Sequence, residues 1–297
     1  ENSLSPLTNR SIQGLYSPGS TFKMIVAIAA LKYGIITTDK THSCSGKIEF
    51  GDRLYHCWKT NGHGKMNVTE AIKQSCDVFF YEVSKKLGIE KIAEVAKNFG
   101  LGQTFDISMP NQKPGIIPTK KWKKNKTGES WYAGETLISA IGQGFVLTNP
   151  FQLAVMTSII ASNGKVIEPT ILKSNGTSFK TNEKYSKEIK IIKNAMFKVV
   201  NENKGTAFKS RLEKIKFAGK TGTSQVRKIS ISERESDDFR KKEQEWKNRD
   251  HALFVGYIPY DDPKYAISVI IEHGGSGAST AAPIAKQVFN YINELEV

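Results

Sequence analysis

Three short motifs in this 297-residue sequence supply between them hydroxyls, a carboxyl and two potential cations. Ser20-Thr-Phe-Lys23 places a hydroxyl and an amine three residues apart, so on a helix they share one face. A serine hydroxyl is a poor nucleophile until a base takes its proton, and a lysine is that base only when neutral. Burial and a second nearby cation are the conditions that neutralise such an amine. A helix N-terminus at Ser20 would add its dipole and open N–H groups. Ser75-Cys-Asp77 and Lys220-Thr-Gly222 supply a second hydroxyl, a carboxyl and a second amine. Each motif has a decoy, at Ser162-Asn-Gly-Lys165, Ser236-Asp-Asp238 and Lys126-Thr-Gly128. Context separates them: the chosen copies fall at the junction or interior of an expected element, the decoys in turns or charged stretches.

A second constellation is Cys44-x12-Cys57-x5-His63-x12-Cys76, which contains all three cysteines. It has three readings: a tetrahedral Cys3His zinc site, one disulfide with a thiol left over, or inert buried thiols. As a closed four-ligand site it would staple the loop carrying Ser75 and Asp77 and leave no position for water. His42 and His56 are nearby spares.

These groups need elements to hold them. Thr21 to Tyr33 reads as a buried apolar helix closed by Gly34, opened at Ser20 after a polar, loop-like start. Asn67 with Glu70 resembles a capping box for a helix toward Gln74. Helices follow from near Asp77 to Gly88, from Lys91 to Phe99, from Phe151 to Ala161 behind Asn149-Pro150, and over Ile189 to Val200. Residues 110–132, with prolines and a run of lysines, read as an exposed loop. The period then changes to two: Ala252 to Tyr257 and Tyr265 to Ile271 are strands about the turn Pro259 to Pro263, and Ala281 to Leu295 is a final helix. Hairpin-linked strands flanked by helices define an α+β domain with an antiparallel sheet. Arg227 to Asp250 is too densely charged for a core and reads as an insertion between strands. Trp58 and Trp131 are expected to pack in the interior rather than line a groove.

Composition sets the outer limits. With 39% hydrophobic and 24% charged residues the chain is an ordinary globular one, and its longest apolar run, Met24 to Leu31, is far short of a bilayer span. It begins at Glu1 without a signal-like segment and reads as a piece of a longer protein. A net charge of +14 suits an anionic partner, but no zinc finger, RNP-type aromatic set or phosphate loop accompanies it, so nucleic-acid binding is not expected.

Tyr16-Ser-Pro-Gly-Ser-Thr-Phe-Lys23, Ser75-Cys-Asp77 and Phe217-Ala-Gly-Lys-Thr-Gly-Thr-Ser224, in this order, resemble the motif set of the penicillin-binding, active-site serine transferases. Trp58 to Gly64, Ile141-Gly-Gln-Gly144, Asn149 to Ala154, His251 to Gly256 and Glu272-His-Gly-Gly275 are similar to the class B, elongation-type members, and the likeness runs from Asn9 to Val288. The resemblance implies a transpeptidase fold shared with serine β-lactamases, an antiparallel sheet flanked by helices plus an all-helical subdomain, over residues 1–297 with the insertion at 227–250.

It further implies Ser20 as nucleophile toward a D-Ala-D-Ala stem peptide, Lys23 as base, and Ser75 as relay to the leaving amine. Lys220 would hold the field around Lys23 and attract the substrate carboxylate, which Thr221 and Thr223, flanking Gly222, would bind. Asp77 stands where asparagine is commoner; beside lysines it works against a neutral base. Metal ligands are implied at Cys44, Cys57, His63 and Cys76, making Zn2+ structural, with no cofactor for catalysis. β-Lactams, a membrane-bound glycosyltransferase and elongation-complex proteins are implied partners, at the periplasmic face of the inner membrane, through an anchor outside this chain. Family domains carry two strands and a helix before the nucleophile helix, whereas 19 residues precede Ser20, so an open sheet edge is expected. The rival functions are a β-lactam-hydrolysing or sensing domain and a non-catalytic scaffold. The deacylating E-x-x-L-N element of class A hydrolases is missing from the sequence.

Overall fold

Short polar side chains start several of the helices, and Gly14, Gly88 and Gly128 end three of them. In the computed structural model, which describes residues 5–172, 179–181, 183–227 and 245–295, Asn9 caps α1 (Arg10–Gln13) through Ser11 N–H. A 3-10 turn, Gly19–Phe22, runs directly into α2 (Lys23–Lys32). Every residue of α2 from Lys23 to Ala30 is buried, as expected of a helix apolar on all sides.

Four short strands follow: β1 (His42–Cys44), β2 (Lys47–Phe50), β3 (Arg53–His56) and β4 (Gly64–Met66). β1 pairs with β4 and β2 with β3, both antiparallel. They add strand pairs to a subdomain expected to be helical. α3 (Val68–Lys73) is capped by Asn67 Oδ1, which accepts from Glu70 N at 2.9 Å. Only half of the capping box forms, because the Glu70 carboxylate turns to Lys73 and Gln74 instead. α4 (Asp77–Leu87) and α5 (Ile89–Asn98) pack against α2.

The expected loop at 110–132 contains a helix, α6 (Lys120–Thr127), capped by Thr119 Oγ1 accepting from Trp122 N. Its run of lysines hides an interior side: Trp122 lies on Phe145, and Lys123 is buried on Glu135, a residue of α7 (Ala133–Ala140). Pro150 opens α8 (Pro150–Ala161), with Asn149 Oδ1 accepting from Gln152 N. β5 (Lys165–Ile167) pairs with β6 (Phe179–Thr181), and α9 (Ser186–Asn201) follows.

The main sheet is antiparallel in the order β7 (Ala218–Ser224), β8 (His251–Ile258), β9 (Tyr265–Ile271). Register sets Lys220 opposite Val255 and Thr223 opposite Ala252. Alternation along β8 gives each face its own cover. Phe254 joins Phe217 and, through it, Phe289 of α10 (Ala282–Leu295), while Tyr257 turns to the α9 side, where Lys193 lies over its ring. Helices on both faces of an antiparallel sheet make this an α+β fold. Among the described residues β9 pairs only with β8, and all its residues are partly exposed, the open edge that was expected. No described helix is long and apolar enough to cross a membrane. Of the charged stretch 227–250, residues 228–244 lie outside the described residues.

Candidate active site

Gly19 and Gly142 let three chain segments meet at Ser20. Gly19 has φ +54°, and its N–H donates to Gly142 O at 2.9 Å. A Cβ on Gly19 would lie 2.3 Å from Thr223 O, and one on Gly142 2.2 Å from Gly19 O. Both glycines are therefore required by close backbone approach. The turn holding Ser20 is pressed between β7 and the segment after α7. Gln143 Nε2 reinforces the junction by donating to Thr223 O at 3.0 Å.

One helical turn on, Lys23 is wholly buried. Its Nζ donates to Asp77 Oδ1 at 2.6 Å, Ser75 O at 2.9 Å and Ser75 Oγ at 3.3 Å. Ser75 stands between α3 and α4 with φ +56°, a left-handed conformation that a non-glycine residue holds only under constraint. That strained turn aims its hydroxyl at a second amine, because Lys220 Nζ donates to Ser75 Oγ at 3.0 Å and to Thr221 O at 2.9 Å. Asp77 is the first residue of α4, where the helix dipole favours its charge. Its other oxygen accepts from Trp58 N at 2.8 Å.

Charge is short of balance here. Two buried lysines share one carboxylate. Burial, reinforced by the Lys23 charge and opposed by Asp77, pushes Lys220 well below the ordinary lysine range. Burial raises Asp77, against the pull of Lys23. A hydroxyl bridging two amines of this kind can pass a proton between them.

A cleft of about 490 Å³ opens above this floor, and Ser20, Ser75, Asp77, Thr221, Gly222 and Thr223 all line it. The structure thus brings the three motifs together, with the amines of Lys23 and Lys220 underneath. The two decoys among the described residues stay apart. Ser162 ends α8 and binds Lys165 O, Lys126-Thr-Gly128 ends α6, and Ser236-Asp-Asp238 lies outside the described residues. Thr206 was not anticipated; its hydroxyl is 2.7 Å from that of Thr221, and it lines the cleft. Trp58 departs from expectation: it is 56% exposed at the cleft, held by Nε1 donating to Gln74 O. Trp131 does pack, near Phe145 and bonded to Thr136.

Behind Ser75 and Asp77 sits the cysteine cluster. No disulfide forms; all three thiols are free and buried. The three Sγ atoms and one nitrogen of His63 lie within 4.8 Å of one another. His63 Nδ1 is 3.6 Å from Cys44 Sγ and 3.5 Å from Cys57 Sγ. The Nε2 atom of His63 is buried without a hydrogen-bond partner. Three sulfurs and one imidazole at this spacing fit a tetrahedral ion, whose ~2.3 Å bonds set sulfurs somewhat under 4 Å apart. The cluster adjoins the floor of the cleft covalently: Cys76 separates Ser75 from Asp77, Cys57 precedes Trp58, and Asp77 N donates to Cys57 Sγ at 3.4 Å. Of the spare histidines, His56 faces the cleft and His42 packs on Phe79.

Residues 1–290 match the family described as penicillin binding protein transpeptidase domain. The chain belongs to that family. Among curated proteins it is similar to the peptidoglycan D,D-transpeptidase MrdA of Salmonella typhimurium, 34% identical over 97% of this chain and 48% of the relative. MrdA of Acinetobacter baumannii is 36% identical over 96% of this chain and 44% of its own length. The chain spans about half the length of these relatives. Among solved structures it resembles the penicillin-binding protein PBP2 of Helicobacter pylori in complex with MreC, with a TM-score of 0.89 and 34% identity over 99% of this chain and 52% of that one. PBP2 of Pseudomonas aeruginosa in complex with WCK 5153 follows at 0.83 and 34%, over 96% of this chain and 60% of that one.

Proposed function

We propose that the chain is the catalytic domain of an elongation-type peptidoglycan D,D-transpeptidase, which cross-links stem peptides through a Ser20 acyl-enzyme and is trapped by β-lactams. The observation that carries this reading is Ser75 Oγ, shared by the buried amines of Lys23 and Lys220 directly under the Ser20 cleft.

Ser20 Oγ attacks the carbonyl carbon of the D-Ala-D-Ala bond and gives its proton to the amine of Lys23 as Lys23 passes one through Ser75 Oγ to Lys220. Ser75 then relays a proton to the leaving nitrogen, so D-Ala departs as a neutral amine and an ester remains on Ser20. The incoming amine of a second stem peptide loses a proton by the reverse path, forms the new amide and restores the serine. Asp77 holds the remaining ammonium charge of the lysine pair. Lys220, Thr221 and Thr223 receive the terminal carboxylate of the donor, and the N–H groups of Ser20 and Thr223 face the oxyanion as it develops.

Zn2+ would be held by Cys44, Cys57, His63 and Cys76. When bound it supplies a structural cross-link and no open coordination position. Those residues then fix the Ser75 to Asp77 segment against the Trp58 loop. By analogy with relatives solved with MreC and within a peptidoglycan synthase complex, we place the domain on the periplasmic side of the inner membrane. There it would work beside a glycosyltransferase and elongation proteins.

The test supplies a D-Ala-D-Ala pentapeptide with an amine-bearing stem peptide and follows D-Ala and dimer by mass spectrometry. Dimer that disappears in Ser20→Ala is expected. Release of D-Ala without dimer would reassign the domain as a hydrolase, and neither product, with no penicillin adduct, would leave a scaffold.

A further inference from the structure

At the far end of the main sheet, away from the lysines, a second polar network ties the nucleophile's approach segment to the cleft rim. His251 opens β8 opposite Ser224 of β7. Its Nδ1 accepts the backbone N–H of His273 at 2.9 Å, so that nitrogen carries no proton. His273, at φ +56°, donates its own Nδ1–H to Arg249 O at 3.1 Å and lies tilted against Trp246, with ring centroids 4.5 Å apart. The His251 ring meets the edges of Tyr16 and His273, at 5.4 and 4.8 Å.

Tyr16 lies four residues before Ser20. Its hydroxyl donates to Glu272 Oε1 at 2.8 Å, and Arg10 Nε donates to Glu272 Oε2 at 3.0 Å. On the other side, Gly275 N donates to Asp250 O at 2.8 Å, and Asp250 and Ser276 both line the cleft. The bond accepted by His251 therefore joins the start of β8 to the turn after β9, between the Tyr16 segment and the rim, beside the bonds from His273 Nδ1 to Arg249 O and from Gly275 N to Asp250 O.

We propose that His251 is a positioning residue for acylation: its unprotonated Nδ1 locks the β8 and β9 ends together, and adding a proton there opens the rim and slows attack by Ser20. The inference rests on the transpeptidase reading above. The charged and titratable groups around the ring are His273, Glu272, Tyr16 and Arg10 from other segments and Arg249 and Asp250 from its own. A proton on Nδ1 would set donor against donor at the His273 N–H and a cation beside a second imidazole. Burial, then His273, holds His251 below the ordinary histidine range, with Glu272 opposing. The bond is thus intact at neutral pH and breaks on acidification.

The test measures the second-order rate of Ser20 labelling by a fluorescent penicillin, from about pH 5 to about pH 8, in the full chain and two variants. His251→Asn offers an acceptor at the Nδ1 position that does not titrate; His251→Leu offers none. The Asn variant should match wild type at neutral pH and exceed it by about fivefold near pH 5. The Leu variant should be about tenfold slower than the Asn variant throughout. Titrations within the cleft are common to all three and cancel in the ratios. An Asn to wild-type ratio that stays flat with pH, or a Leu variant as fast as wild type, overturns the proposal. If Leu melts below the assay temperature, the Asn ratio decides alone. Labelling that never occurs on Ser20 at any pH removes the transpeptidase reading, and this inference with it.

Discussion

Two buried lysine sites in this molecule balance charge in opposite ways. Under α6, Lys123 meets two carboxylates, Glu135 at 2.5 Å and Glu129 at 3.5 Å, with the Tyr132 ring 4.3 Å away. Burial alone would lower its proton affinity, but the bond to Glu135 and the two acidic charges raise it. Under the cleft the arithmetic is reversed, with Lys23 and Lys220 sharing Asp77 alone. An over-compensated lysine stays a cation and holds α6 to α7. An under-compensated pair surrenders a proton, which is what activating a serine requires.

The comparison is broken most severely at Lys23. Lys23→Met should remove penicillin acylation by about 10²–10⁴-fold. It should also destabilise the fold by about 3–5 kcal/mol, since Asp77 is left buried without its cation. Rate and denaturant unfolding measured together check both halves. Lys220→Met should lose acylation to a similar degree yet melt higher than wild type. The sign follows from its lowered proton affinity: the unfolded chain binds that proton more tightly, so stability is lost as pH falls from about 10.5 toward the lower folded value. The gain in Tm should therefore be present at neutral pH and shrink as pH approaches 10.5. A Lys220→Met variant that melts below wild type at neutral pH would dissolve the contrast.

A smaller effect belongs to the cluster behind Ser75. One equivalent of Zn2+ should raise Tm, and Cys57→Ser should cancel that rise and slow acylation by about 10–100-fold through the Trp58 to Asp77 bond. Calorimetry with and without metal reads the first and labelling kinetics the second. The smallest expected change in chemistry is at Lys123. Lys123→Met should lower Tm while acylation below the melting range stays within about twofold.

The site was legible where chemistry and local structure coincide. Ser20, Lys23, Ser75 and Lys220 are set by motifs at element junctions, Asn67 announces its helix through the half of the expected capping box that forms, and Pro150 opens α8 where it was expected to. What escaped notice depends on distant partners. α6 was hidden because the carboxylate that buries Lys123 comes from α7, beyond the end of the lysine run. β1 to β4 are strands of three or four residues with too little alternation to register. Thr206 joins the site only because its segment folds onto β7, and Trp58 is exposed because its backbone serves Asp77 while its ring edges the cleft.

The most direct test of the unbalanced lysine pair is intact-protein mass spectrometry after penicillin treatment, with peptide mapping, on wild type and Lys220→Met side by side. The account predicts one adduct on the Ser20 peptide in wild type and a folded, unlabelled variant. An adduct on another residue, or a variant labelled as fast as wild type, would contradict it.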